Sequence, residues 1–114
     1  LSDLTLWKGQ MMFEGYAEHY DTEARLVILK ALAGETDYRL SDSMLTTMLE
    51  AFAIKRGRDY VRNQLRWLER SVGAVKLTEA GTAMIAELIE PGLDHVERRR
   101  VLEGVKRPSP SRSA

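Results

Sequence analysis

The chain contains no cysteine. That absence excludes a disulfide framework, a thiolate metal centre and a cysteine nucleophile. No apolar run approaches the roughly 20 residues that a membrane-crossing helix needs, so no membrane partner is expected. Histidine is scarce: His19 and His95 lie far apart, with no metal-ligand spacing around either. No glycine-rich phosphate loop occurs, because Gly57, Gly73, Gly81 and Gly104 each stand at the end of an expected element. Ser41 and Ser43 read as helix caps rather than nucleophiles, and Glu87 and Glu90 do not make an acid/base pair. No enzymatic activity, cofactor or metal is therefore expected. The sequence does not open on a basic region followed by an apolar core, so no secretory signal is expected and a reducing cytoplasm is the expected compartment.

What is present is an ordinary globular composition, 44% hydrophobic and 30% charged over 114 residues. This supports one domain with one core. Net charge is zero, with 17 basic and 17 acidic side chains, yet the charges are unevenly spread. Residues 55–72 carry six basic side chains against two acidic, and residues 98–114 carry six against one. The remaining segments, 1–20, 21–54 and 73–97, are each net acidic. A local field of this kind, not a net charge, steers a polyanion.

Periodicity predicts the elements. In residues 1–20, Leu4, Trp7 and Met11 recur at helical spacing, and Met11, Met12, Phe13, Tyr16 and Tyr20 add apolar surface. This segment is read as a helical, dimer-forming N-terminal extension. Residues 21–33 predict a core helix capped by Asp21 or Thr22 and ended by Gly34. Tyr38-Arg39-Leu40 reads as a short strand. A second helix starts at Ser41 or Ser43, with Met44, Leu45, Met48, Leu49 and Phe52 as one apolar stripe. A third covers about 58–71, with Val61, Leu65 and Leu68 facing the core. After Gly73 the period changes to two, and 75–88 predicts a β-hairpin turning at Ala80-Gly81-Thr82. Pro91 suits the first turn of a last helix, about 92–102, with Leu93, Val96 and Val101 inward. This order is that of a winged helix-turn-helix, mainly α with a small β-hairpin (α+β), over residues 21–103. Residues 104–114 read as a flexible basic tail.

On that fold the third helix is the one that enters the major groove. Arg58, Arg62 and Arg66 fall at i, i+4 and i+8, off the core stripe and with no acidic residue at i+4, and Asn63 and Arg70 lie beside them. Arginine bonds bidentately to guanine and asparagine to adenine. Lys55 and Arg56 precede the helix, placed to meet phosphates. The expected DNA-binding set is Lys55, Arg56, Arg58, Tyr60, Arg62, Asn63, Arg66, Lys76, Lys106 and Arg107. The expected wing points the other way: Glu79 sits at its tip, Glu87 and Glu90 follow, and only Lys76 is basic.

Specific strings carry a resemblance. Arg25-Leu26-Val27-Ile28-Leu29, Arg58-Asp59-x-Val61-Arg62-x-x-Leu65-x-Trp67-Leu68, Gly92-Leu93-Asp94 and Gly104-Val105-Lys106-Arg107-Pro108-Ser109-Pro110 together resemble a small protein family of Mu-like bacteriophages and prophages. Its members are often described as winged-helix or ArsR-like regulators. The resemblance spans about residues 24–110. It implies a phage-encoded, non-enzymatic winged-helix protein of the bacterial host cytoplasm. From the residues themselves, double-stranded DNA and a role in transcription regulation are expected, and a homodimer is expected because operators are commonly read as paired half-sites and the apolar surface of residues 1–20 needs covering. Such genes tend to lie near phage morphogenesis and packaging genes, so the alternative implied is an accessory that contacts a phage packaging or virion protein. Residues 1–20 extend beyond the usual start of the family, and Gly57 stands where it often has a capping serine. The metal-sensing cysteines of ArsR repressors are absent, so metal sensing is not carried over.

Overall fold

A computed structural model of the protein describes residues 2–110, with side chains from residue 15 onward. The chain is α+β. Helix α1 (Ser2–Ala33) leads to strand β1 (Arg39–Ser41), which runs directly into α2 (Asp42–Glu50). Helix α3 (Arg58–Arg70), strands β2 (Val75–Ala80) and β3 (Ala83–Leu88) and helix α4 (Glu90–Val96) follow. The four helices and the three-stranded antiparallel sheet, of order β1-β3-β2, are compatible with a winged-helix arrangement.

The core sits between α1, α2, α3 and one face of the sheet. Helix α1 contributes Ala24, Ile28, Leu29 and Leu32, α2 contributes Leu45 and Leu49, and α3 contributes Val61, Leu65 and Leu68. The period-two segment adds Val75, Met84, Ala86 and Leu88. Burying each such aliphatic side chain is worth about 1.5–3 kcal/mol, which holds α3 by its inner face and leaves the opposite face to solvent. The hairpin register, Val75↔Leu88 through Ala80↔Ala83, follows the expected alternation. Strand β1 pairs with β3 at Arg39↔Glu87 and Ser41↔Ile85. Ser41 then caps α2, its Oγ accepting the Met44 N–H at 3.2 Å.

Several boundaries differ from expectation. Helix α1 does not begin at Asp21 or Thr22, because it is continuous from Ser2. The two capping-type side chains have other partners. Thr22 Oγ1 donates back to the His19 carbonyl at 2.8 Å, and Asp21 accepts from the Tyr60 hydroxyl at 2.5 Å. Helix α2 ends at Glu50, so Phe52 lies beyond it and is 65% exposed, and Met44 is 53% exposed. Only part of the expected stripe is therefore core. The side chains of Leu4, Trp7, Met11, Met12 and Phe13 lie outside the described residues.

The last helix ends at Val96 rather than near 102, because Arg98 takes a left-handed conformation (φ 65°) that turns the chain back. As a result Val101 is exposed, and Leu102 and Val105 enter the core instead. Nor is the segment from Gly104 a free tail at its start. His95, fully buried, accepts the Leu102 N–H at Nδ1 (3.1 Å), so its Nε2–H donates to the Lys106 carbonyl (2.9 Å). The Lys106 N–H donates to Thr22 O at 3.1 Å, and Arg25 Nη1 to Gly104 O at 2.9 Å. Gly104 has φ 88°, and a Cβ there would press on the Trp67 ring at 2.5 Å. Only glycine meets both demands.

Candidate nucleic-acid interface

Helix α3 has three surfaces besides its core stripe. Toward α1 it presents Tyr60, Gln64 and Trp67. Arg25 of α1 stacks on Trp67 with its guanidinium carbon 3.7 Å from the ring centroid and donates Nε–H to Gln64 at 2.8 Å. Burial lowers the pKa of Arg25, opposed by the charge of Asp21. Tyr60 donates to Asp21, and burial, that bond and the Asp21 charge together raise the phenol pKa strongly. Its hydroxyl is thus committed to Asp21.

Toward the wing α3 presents Arg58, Arg62 and Glu69. No acidic residue stands at i+4 of the arginine row, but a carboxylate from another helix meets it. Asp42, fully buried at the start of α2, accepts Arg58 Nε–H at 2.8 Å and lies 3.5 Å from Arg62 Nε. The Arg62 Nε makes no hydrogen bond and is held by charge alone. Asp42 also accepts the N–H of Ser43 (2.9 Å) and of Met84 in β3 (3.3 Å). Burial raises the Asp42 pKa, but the Arg58 bond, the two backbone donors and the Arg58 charge outweigh it, and the net direction is down. Arg58 Nη2 goes on to donate to Thr82 O in the hairpin turn at 2.6 Å. Near the other end of α3, Glu69 Oε2 accepts the Leu77 N–H of β2 at 2.9 Å. Arg58 and Glu69 therefore fasten the hairpin alongside α3.

The outward surface is a different row. Asp59, Asn63, Arg66 and Arg70, spaced four, three and four residues apart, fall on the side opposite the core stripe. Asp59, Asn63 and Arg70 are exposed, and Arg66 is half-buried and donates to Asn63 Oδ1 at 3.1 Å. Lys55 and Arg56 lie exposed in the turn before α3. The Arg56 guanidinium carbon sits 4.4 Å from the Tyr20 ring centroid, a cation–π contact that aims it without neutralising it. Gly57, at φ 89°, starts α3 without a side-chain cap.

Lys76 is exposed on the outer face of the sheet, directly opposite Glu87, which on its other side faces Arg39. The wing's acidic residue at 87 is thus flanked by two cations in register. Lys106 and Arg107 are not brought to α3. They border a hollow with Val27, Lys30 and Met48 of α1 and α2, and Lys106 Nζ pairs with Glu23 at 3.3 Å. In the other basic block, Arg99 is tied to Asp94 and Glu97. Among the described residues no cluster of metal-ligating side chains occurs, and no helix is long and apolar enough to cross a membrane.

The expected contact set did not include Asp42 or Arg70. Arg70 was legible as the i+4 neighbour of Arg66. Asp42 reads locally as a first-turn carboxylate favouring the helix dipole, and nothing local shows that its partners stand 16 and 20 residues on.

Comparison with known proteins now adds descent. No family model matches the chain. An uncharacterized protein of Escherichia phage Mu, gp26, is 33% identical over 88 residues, covering 77% of this chain and 90% of the relative. The chain belongs to the phage Mu gp26 family. Membership in the gp26 family agrees with the Mu-like phage origin that the sequence strings implied. Two of those strings have structural reasons in this gp26-family chain. Gly92 packs where a Cβ would collide with the Ala74 carbonyl, and Gly104 packs on Trp67.

Proposed function

We propose that this gp26-family protein is a phage winged-helix DNA-binding protein of the ArsR-like type, a transcriptional regulator in the bacterial host cytoplasm. In this reading α2 and α3 are the helix-turn-helix, and a homodimer reads paired half-sites. The observation that carries it is the outward row Asn63–Arg66–Arg70, on the face of α3 opposite the core. Arg66 and Arg70 reach guanine edges, Asn63 reaches adenine, and Lys55, Arg56 and Lys76 meet phosphates on either side. Arg62 lies at the edge of this surface, and Arg58 sets the wing. The protein acts without a cofactor and is not an enzyme.

Replacing Arg66 and Arg70 together by alanine tests this reading. Affinity for duplex DNA at moderate salt should fall more than tenfold with thermal stability nearly unchanged. Equal binding by wild type and variant refutes the assignment of this face.

Two observations favour a second reading, a packaging or assembly accessory acting through protein contacts. Asp42 offsets two arginines of the α3 row, and Asp59 stands exposed in the outward row itself. This reading predicts little salt-dependent DNA affinity and co-purification with a phage packaging or virion protein.

A further inference from the structure

A hollow of about 350 Å³ opens on the side of α1 turned away from α3. Val27, in its wall, stands two residues past Arg25, about 200° round the helix from the side chain that meets Trp67 of α3. The apolar wall is made by Leu26, Val27 and Ala31 of α1, Met48 of α2 and Phe52 in the turn after α2. The segment after α4 closes another side and brings Lys106 and Arg107. That segment is anchored by both backbone groups of Lys106: its carbonyl accepts from His95 at 2.9 Å, and its N–H donates to Thr22 O at 3.1 Å. The cations are therefore carried by backbone already fixed beside α1, so little ordering is left for a ligand to impose.

Charge at the rim is one-sided. Lys30, Lys106 and Arg107 stand against one carboxylate in the lining, Glu23. That carboxylate is occupied, with Oε1 3.3 Å from Lys106 Nζ and Oε2 3.6 Å from His19 Nε2. Among the described residues Lys30 and Arg107 have no ion-pair partner. An apolar wall under unpaired cations asks for a ligand of the same two-part character. Apolar surface drives the body of the ligand in, and a charged acceptor makes the stronger hydrogen bonds with lysine and arginine. The volume falls in the range of about 300–1,000 Å³ typical of small-molecule sites.

We propose that this hollow binds a small amphipathic anion, an apolar chain or ring ending in one acidic group. The apolar part lies against Met48 and Phe52, and the acidic group is held toward Lys30 and Arg107. This goes beyond the DNA-binding reading and uses none of the α3 surface, so either can fail without the other.

Nuclear magnetic resonance of isotope-labelled methionine methyl groups in the full chain tests it. Met48 lines the hollow, whereas Met84 is buried in the core and serves as an internal control. Met48→Leu identifies the signal. Octanoate, kept below its micelle concentration, should shift the Met48 signal saturably and leave that of Met84 in place. Octanol, with the same chain and no charge, should bind at least tenfold more weakly, and octylammonium more weakly still. Two variants at exposed positions separate the halves of the site, each with an unchanged circular dichroism spectrum. Lys30→Glu should weaken octanoate at least tenfold and leave octanol unaffected. Phe52→Ala should weaken both ligands several-fold. An unmoved Met48 signal, equal affinity for octanoate and octylammonium, equal shifts at Met48 and Met84, or wild-type octanoate binding by Lys30→Glu would each overturn the proposal.

Discussion

Replacing Asp42 by asparagine perturbs the joint between α2, α3 and the hairpin with little change of shape. The amide oxygen still accepts from the Ser43 and Met84 N–H groups, so the backbone bonds survive. What disappears is the charged bond from Arg58 at 2.8 Å and the attraction of Arg62 at 3.5 Å. A hydrogen bond to a charged group contributes about 1.5–3 kcal/mol. Breaking a fully buried pair costs about 3–5 kcal/mol, but the Arg58 and Arg62 side chains are 40% and 24% exposed and can turn toward water. The expected loss is therefore about 2 kcal/mol, roughly 8 °C in Tm at about 4 °C per kcal/mol. Asp42→Ala should cost about 4 kcal/mol, since it also strands the two N–H donors. The pH dependence has a definite sign. The folded pKa of Asp42 lies below its ordinary value of 3.8, so its stabilisation is complete above about pH 5 and is lost as pH falls through the folded value. Urea unfolding followed by circular dichroism at pH 7, 5 and 3 measures this. The gap between wild type and Asp42→Asn should be equal at the two higher pH values and narrower at pH 3. A gap under about 0.5 kcal/mol, or one independent of pH, refutes the reasoning.

Gly92→Ala should destabilise by about 2–3 kcal/mol in thermal unfolding, because the new Cβ meets the backbone carbonyl of Ala74, which cannot swing aside as a side chain would. His95→Ala should cost about 3 kcal/mol through a cavity and an orphaned Leu102 N–H; amide exchange should show Leu102 and Lys106 losing protection while α3 keeps it. In alkaline titration followed at 295 nm, Tyr60 should ionise last of the four tyrosines, because burial and Asp21 hold its proton. Tyr60→Phe should abolish that last step.

Amphipathic elements were legible because their own residues encode the pattern. Val61, Leu65 and Leu68 mark the inner face of α3, and the alternation of 75–88 marks the hairpin with its turn. The errors arose where the deciding partner is distant in sequence. Asp21 and Thr22 look like caps until the helix before them is known to continue. The basic tail looks free until the buried His95 ring is seen holding Leu102 and Lys106. The arginine row of α3 looks unopposed because its counter-ion, Asp42, belongs to the preceding helix. Helical spacing identified a cationic α3. The tertiary contact decided which cations face outward, moving the candidate surface from Arg58–Arg62–Arg66 to Asn63–Arg66–Arg70.

The central claim is that this outward row engages duplex DNA. Fluorescence anisotropy with a labelled random duplex, titrated from 50 to 200 mM salt, tests it most directly. On a random duplex Arg66 and Arg70 meet phosphates alongside Lys55, Arg56 and Lys76, and these five cations predict a log–log salt slope of about −4.5 at about 0.9 per phosphate neutralised, reduced by about 2 in the Arg66→Ala, Arg70→Ala variant. No binding at 50 mM salt, or a slope that the double substitution leaves unchanged, contradicts the claim.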